Sequence, residues 1–330
     1  MANISDKILK YYIKSDNTQM INTASVPYNY LSLFYEKNKD IIPTIFNNPF
    51  SNEKNTRLIQ CILSIVMYDY RNDNLNNVLQ SLSIKKYNIC NIDDKLVFGT
   101  FTINDRLIIN IKGTTTLNDI FADIDIVPVK NCKVPGKISR GYNNVLFDNI
   151  SSLYSKDENK PIFTSKETPS KKISRIDVLI NSIYEYLYCL DSKVKPYIYL
   201  CGHSEGGALA TIIFSFILEK MKKNPLNPIK DNLYLYTFGS PRVGNKGFID
   251  SIGNTDKSFR IVNGGDIITH LPLNTSIFDI KYRHYNKKYK YYNPRDENIC
   301  SIGNIIKNET WSISDHSILN YFENIVLSME

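Results

Sequence analysis

The chain of 330 residues has no apolar run near the length that crosses a bilayer. Its longest candidate, residues 208–218, is about half of the roughly 20 residues required, which excludes a spanning helix. The first residues, MANISDKILKYYIKSD, carry no apolar h-region and no small-residue cleavage site. A secretory signal is therefore not expected, and a cytoplasmic or intracellular location is. None of the six cysteines, Cys61, Cys90, Cys132, Cys189, Cys201 and Cys300, forms a CxxC pair. That disfavours a zinc site or a thioredoxin-like motif, and free thiols are expected. Cys189 and Cys201 lie in apolar stretches and read as small buried hydrophobes. Only four histidines are present, scattered without ligand spacing, so no metal and no organic cofactor is expected. Excess charge is small, +7 from 40 basic and 33 acidic residues, and does not call for nucleic acid. Ala, Gly and Trp are scarce while Asn, Ile, Lys and Tyr abound. This reads as the codon bias of an AT-rich genome such as that of a large DNA virus.

What is present is ordinary globular material, with a hydrophobic fraction of 42%. Residues 1–55 are polar, rich in Tyr and Asn, and read as an N-terminal extension with one or two helices, ahead of a domain over 56–330. From Arg57 to Leu82 the residues Leu58, Ile62, Ile65, Val66 and Tyr70 recur at helical spacing and predict one long helix. LVFGTFTI (96–103) and RLIINIKG (106–113) flank Asn104-Asp105 and predict a hairpin, although Asn-Asp is a weaker turn signal than Asn-Gly. Residues 151–172, charged and holding Pro161 and Pro169, read as a surface loop or insertion. A helix is predicted over 173–190.

Buried strands follow at 196–204, 232–240 and 259–263, a helix at 205–223, a basic-turned hairpin at 281–292, and a last helix at 316–329. Strands alternating with helices indicate an α/β fold: a mostly parallel sheet covered on both faces. The segment Lys281 to Arg295 mixes six basic residues with five tyrosines. A solvated hairpin is the preferred reading, with a membrane-surface patch as the alternative.

Gly202-His203-Ser204-Glu205-Gly206 matches G-x-S-x-G. The strand YIYLC before it and the apolar helix after it supply the context of a nucleophile elbow. A serine hydroxyl needs a general base, and the base needs an orienting carboxylate. His203 sits inside the elbow and should point into the structure. With the chain order Ser, Asp, His, His316 is the best base, and His270 and His284 read as core or surface histidines. Asp266 follows strand FRIVN through Asn263-Gly264-Gly265 and is the preferred acid. Its rivals are Asp250, Asp256, Asp279 and Asp315, the last also explicable as a helix N-terminal acid.

Five stretches in order carry a resemblance: INIKGTTTLNDIFADID (109–125), CGHSEGGALA (201–210), YTFGSPRVGNKGF (236–248), FRIVNGGDIITHLP (259–272) and DHSILNYF (315–322). Over about 57–330 the chain resembles the class 3, fungal-type triacylglycerol lipases of the α/β-hydrolase fold. The resemblance implies Ser204 as nucleophile, Asp266 as acid and His316 as base. It implies an oxyanion hole from Thr114, by its backbone N–H and hydroxyl, and from the Glu205 backbone N–H. It makes residues 117–124 a short helical lid, with Leu117, Ile120, Phe121 and Ile124 at helical spacing; a surface helix packed on the core is the alternative.

Three departures stand out. Lys112 replaces an arginine usual in the family, Glu205 replaces its commonest leucine, and Arg140-Gly141-Tyr142 matches its histidine and phenylalanine only loosely. The Glu205 carboxylate is expected in solvent or in a local hydrogen bond. Facing the site, it would oppose the oxyanion. The implied function is a serine ester hydrolase acting on lipid esters, with transient contact to a membrane or lipid-droplet surface. Rival readings are a phospholipase A1, a small-ester esterase, or a catalytically silent lipid-binding protein of the same fold.

Overall fold

The computed structural model describes residues 30–114, 125–150, 152–154, 161–164, 173–223, 229–253, 256–272, 281–285, 288–291 and 314–328. Along the chain, four helices come first: α1 (Tyr30–Lys37), α2 (Ile42–Asn47), α3 (Glu53–Tyr68) and α4 (Leu75–Ser81). Strands β1 (Lys86–Ile92), β2 (Leu96–Ile103) and β3 (Arg106–Ile111) form an antiparallel meander. Then come β4 (Pro128–Lys130), β5 (Lys137–Ser139), α5 (Arg140–Phe147), β6 (Ser152–Tyr154), β7 (Pro161–Thr164) and α6 (Arg175–Cys189). The second half runs β8 (Ile198–His203), α7 (Glu205–Lys223), β9 (Leu233–Phe238), α8 (Lys246–Ile252), β10 (Ser258–Asn263), β11 (Lys288–Tyr291) and α9 (Ile318–Leu327).

Seven strands make one sheet in the order β1-β2-β3-β8-β9-β10-β11, parallel from β3 onward. Its central strands carry apolar residues at successive positions because both faces are covered. Alternation sorts them: Phe101, Ile108, Tyr199 and Cys201 enter one core with α1 to α4 and α9. Phe98, Ile109, Ile198 and Leu200 enter the other with α5 to α8. Among the described residues, no helix is long and apolar enough to cross a membrane.

Several local expectations need correction. The periodicity over 57–82 belongs to two helices, α3 and α4. The chain breaks at Asp69, whose side chain takes the Leu31 N–H at 3.1 Å and the Asn72 amide at 2.8 Å. Such side-chain bonds compete with helix continuation. The α1 and α2 segment, within the polar stretch before residue 56, buries Leu31, Ile42 and Ile45 in the first core.

The described residues of 281–292 form no hairpin. Lys288–Tyr291 pairs parallel to β10. Earlier tyrosines anchor inward instead: Tyr282 donates to the Ile126 carbonyl, and Tyr285 shares a hydrogen bond with the Thr237 hydroxyl. The stretch 151–172 contains the paired strands β6 and β7. Cys189, at the end of α6, is exposed rather than buried. The β2–β3 hairpin does form, with Asn104 and Asp105 both left-handed at φ 47° and 58°. That pair of angles matches the twist of a tight hairpin.

Candidate active site

Strand β8 runs straight into helix α7 with Ser204 alone between them, at φ 57°. The left-handed angle lets the chain reverse within one residue and stand its side chain above the sheet edge. The flanking glycines are there for contact. A Cβ on Gly202 would lie 2.3 Å from the backbone of Gly206, and one on Gly206 would lie 2.1 Å from the Ile111 carbonyl oxygen. Any larger residue would push α7 off β3 and β8.

Two loops from other parts of the chain reach Ser204. One leaves β10 and places Asp266 at the start of a 3₁₀ turn, Ile267–His270. The other is the 3₁₀ turn Ser314–His316 just before α9. Ser204 Oγ lies 2.9 Å from His316 Nε2. His316 Nδ1 lies 2.9 and 3.0 Å from the two Asp266 oxygens. A carboxylate faces Nδ1, so that nitrogen donates and Nε2 accepts the serine proton. Ser204 and Asp266 are fully buried and His316 is 5% exposed.

Further bonds hold this row. The Ile268 N–H donates to Asp266 Oδ1 at 2.9 Å, and the Tyr321 hydroxyl donates to Oδ2 at 2.6 Å. Burial and the Asp266 charge push the Tyr321 phenol well above its usual pKa, which keeps it a donor. Asp315 accepts from the Gly265 N–H at 2.7 Å, and Asn263 donates to the Asp315 carbonyl at 3.0 Å. The loops carrying Asp266 and His316 are thus stitched together.

Beneath them, His203 Nε2 donates to the His316 carbonyl at 2.8 Å and Nδ1 accepts from the Tyr68 hydroxyl at 2.7 Å. Burial, followed by the neighbouring His316, drives the His203 pKa well below the usual imidazole value. The expectation that His203 points inward therefore matches what the structure shows.

The structure brings together Ser204, Asp266, His316, Thr114 and Glu205. The Thr114 hydroxyl donates to the Glu205 carboxylate rather than standing free, so Glu205 makes a local hydrogen bond on the side facing Thr114. Lys112 donates to the Gly113 carbonyl at 3.1 Å; burial lowers its pKa and Glu205 opposes that shift. Among the rival acids, Asp250 pairs with Lys246 and Asp315 holds Gly265. Asp279 lies outside the described residues, as do Leu117, Ile120, Phe121 and Ile124 of the expected lid. His284 donates to the Thr269 carbonyl at 2.6 Å, away from the serine. No group of three or more His, Cys, Asp or Glu suited to a metal occurs among the described residues. Tyr321 and Tyr68 were not foreseen. A tyrosine five residues beyond the histidine gives no sign in sequence that it caps the acid.

Among solved structures, the chain is similar to a triacylglyceride lipase of Rhizomucor miehei, with TM-score 0.54 at 19% identity over 81% of this chain and 93% of that one. It is also similar to a mono- and diacylglycerol lipase of Aspergillus oryzae, with TM-score 0.51 at 16% identity over 74% and 81%. At such identities the likeness speaks for the fold, an α/β-hydrolase architecture. In sequence, the chain is 29% identical over 203 residues to Toxin TseL of Vibrio cholerae, covering 56% of this chain and 30% of that protein. It is 26% identical over 163 residues to a lipase of Rhizomucor miehei, covering 49% and 36%. The chain spans about a third of the length of these curated relatives. The family model Lipase (class 3) matches residues 108–276, just over half of the 330, and takes in most of β3, the elbow and the Asp266 loop. The chain belongs to the class 3 lipase family.

Proposed function

We propose that the protein is a carboxylic ester hydrolase acting on lipid esters through Ser204, His316 and Asp266. The observation that carries this reading is the continuous hydrogen-bonded row from the Ser204 hydroxyl through the His316 ring to the Asp266 carboxylate. In the reading, Ser204 Oγ attacks the ester carbonyl carbon while His316 Nε2 takes its proton. The negative oxygen that forms is held by the backbone N–H groups of Thr114 and Glu205, the latter at the N-terminus of α7. Collapse breaks the ester C–O bond, and the leaving alcohol takes the proton from Nε2. Water then attacks the acyl-enzyme as His316 removes its proton. That proton returns to Ser204 Oγ when the carboxylic acid departs. Asp266 holds the ring in the correct tautomer and offsets its transient positive charge. The lipid ester is met at a membrane or droplet surface.

The test is hydrolysis of short soluble esters, emulsified triacylglycerol and phospholipid vesicles, with Ser204→Ala as the control. Turnover lost in that variant, together with fluorophosphonate labelling of the parent at Ser204, is the expected outcome. The preferred ester separates lipase from phospholipase or small-ester esterase. A folded parent that neither turns over nor labels overturns the reading and favours a lipid-binding role.

A further inference from the structure

The side chain of Glu205 stands where the family most often has leucine, and it meets Thr114 across the mouth of the elbow. A hydroxyl carries one proton, and a carboxylate can only accept. The bond therefore commits the Thr114 proton to Glu205, and the hydroxyl cannot also serve a substrate oxygen. That leaves the two backbone N–H groups as the donors. Their spacing depends on how Thr114 is held, because it lies beyond the end of β3, where the strand ladder no longer fixes the chain.

We propose that Glu205 is the positioning residue of the oxyanion hole: its side chain tethers Thr114, so that one residue supplies a donor and fixes the place of the other. This rests on the serine-hydrolase reading above. Three features fit the tether. Glu205 is rooted in the first turn of α7, where the helix dipole favours a carboxylate. The body of α7 is buried from Ala208 through Ile217, so the anchor is rigid. The ammonium of Lys112 lies within electrostatic reach of Glu205 and ties back to the Gly113 carbonyl. It offsets a negative charge that would otherwise oppose the oxyanion. The buried phenol of Tyr142 also feels the Glu205 charge.

The experiment compares Thr114→Val, Glu205→Leu, Glu205→Gln and the Thr114→Val/Glu205→Leu double variant on a neutral, soluble short-chain ester. Loss of one oxyanion donor lowers kcat by about 100- to 1000-fold. A loosened donor should lose less, about 10- to 100-fold in Thr114→Val and in Glu205→Leu, with KM within about 2-fold. The double variant should fall no further than either single, because the two changes cut the same bond. Glu205→Gln, whose amide oxygen accepts the same hydrogen bond, should keep most of kcat.

An unchanged kcat in Glu205→Leu, losses that multiply in the double variant, or a Gln variant as poor as the Leu variant would each overturn the tether. If the Leu variant fails to fold, Thr114→Val and Glu205→Gln decide the matter. A parent whose turnover survives Ser204→Ala overturns the underlying reading as well. A Ser204-dependent parent indifferent to Glu205 overturns the tether alone.

Discussion

The two sides of Ser204 are built differently. On the side proposed as acid and base, Asp266 is fully buried and held by the His316 ring, the Ile268 N–H and the Tyr321 hydroxyl. The two loops that carry the pair are stitched by Asp315 and Asn263. On the side proposed to hold the oxyanion, Thr114 is half-buried and joined to α7 through Glu205. One side is over-determined, and the other leans on a side-chain bond between residues 91 apart in sequence. Redundant bonds hold a geometry against the loss of any one of them. Where one side-chain bond carries the support, the geometry is sensitive to a single substitution. The proton-transfer row should therefore resist changes to its supports but not to its members, while the oxyanion side should respond to its support directly.

The largest effect falls on a member of the row. Asp266→Asn keeps the shape but presents an amide to Nδ1, which favours the wrong imidazole tautomer, and kcat should drop about 10⁴-fold. Steady-state kinetics on a soluble ester measure this. A loss smaller than that of Thr114→Val would reverse the comparison and make the oxyanion side dominant.

His203, buried beneath the row, and His284, half-buried on the Thr269 carbonyl, both have pKa values well below the usual imidazole value. A histidine whose pKa is depressed on folding leaves the unfolded chain binding more protons than the native one below about pH 6.5. Stability is thus full above that pH and falls as the solution is acidified, by about 1.4 kcal/mol per pH unit for each histidine while both states differ by a whole proton. Denaturant midpoints taken between pH 7.5 and 5 should show this slope. His203→Gln should flatten it by one proton's worth and leave the His284 share. A flat profile in the parent would mean that the floor of the site accepts charge, contrary to a dry, over-determined row.

Much of this was legible in the sequence. The glycines around Ser204 and the apolar stretches on either side of it carry the elbow, because a strand-to-helix reversal needs small residues and buried elements need apolar ones. Chain order and the turn after FRIVN favoured Asp266 and His316 over their rivals, and the structure sets both beside Ser204. Periodicity failed where a break depends on a distant partner, as at Asp69, which caps Leu31 38 residues away. The hairpin reading failed over 281–292, where Tyr282 and Tyr285 are held inward by the Ile126 carbonyl and Thr237. The bond of the Thr114 hydroxyl to Glu205 went unread for the same reason. Its partner is remote in sequence, and no local pattern announces it.

The smallest effect should come from removing one support of the row. Tyr321→Phe deletes the hydroxyl that donates to Asp266 Oδ2 while leaving the ring in the core. Asp266 keeps the Ile268 N–H and both contacts to His316 Nδ1. A hydrogen bond to a charged group contributes about 1.5–3 kcal/mol, so stability should fall by about that much. The carboxylate, less firmly aimed, should lower kcat by about 3- to 10-fold with KM unchanged, well short of the Asp266→Asn loss. Chemical denaturation and steady-state kinetics on the same preparation give both numbers. If kcat instead falls as far as in Asp266→Asn, the remaining bonds do not hold the acid by themselves. The row would then depend on a single contact, as proposed for the oxyanion side, and the contrast between the two sides would disappear.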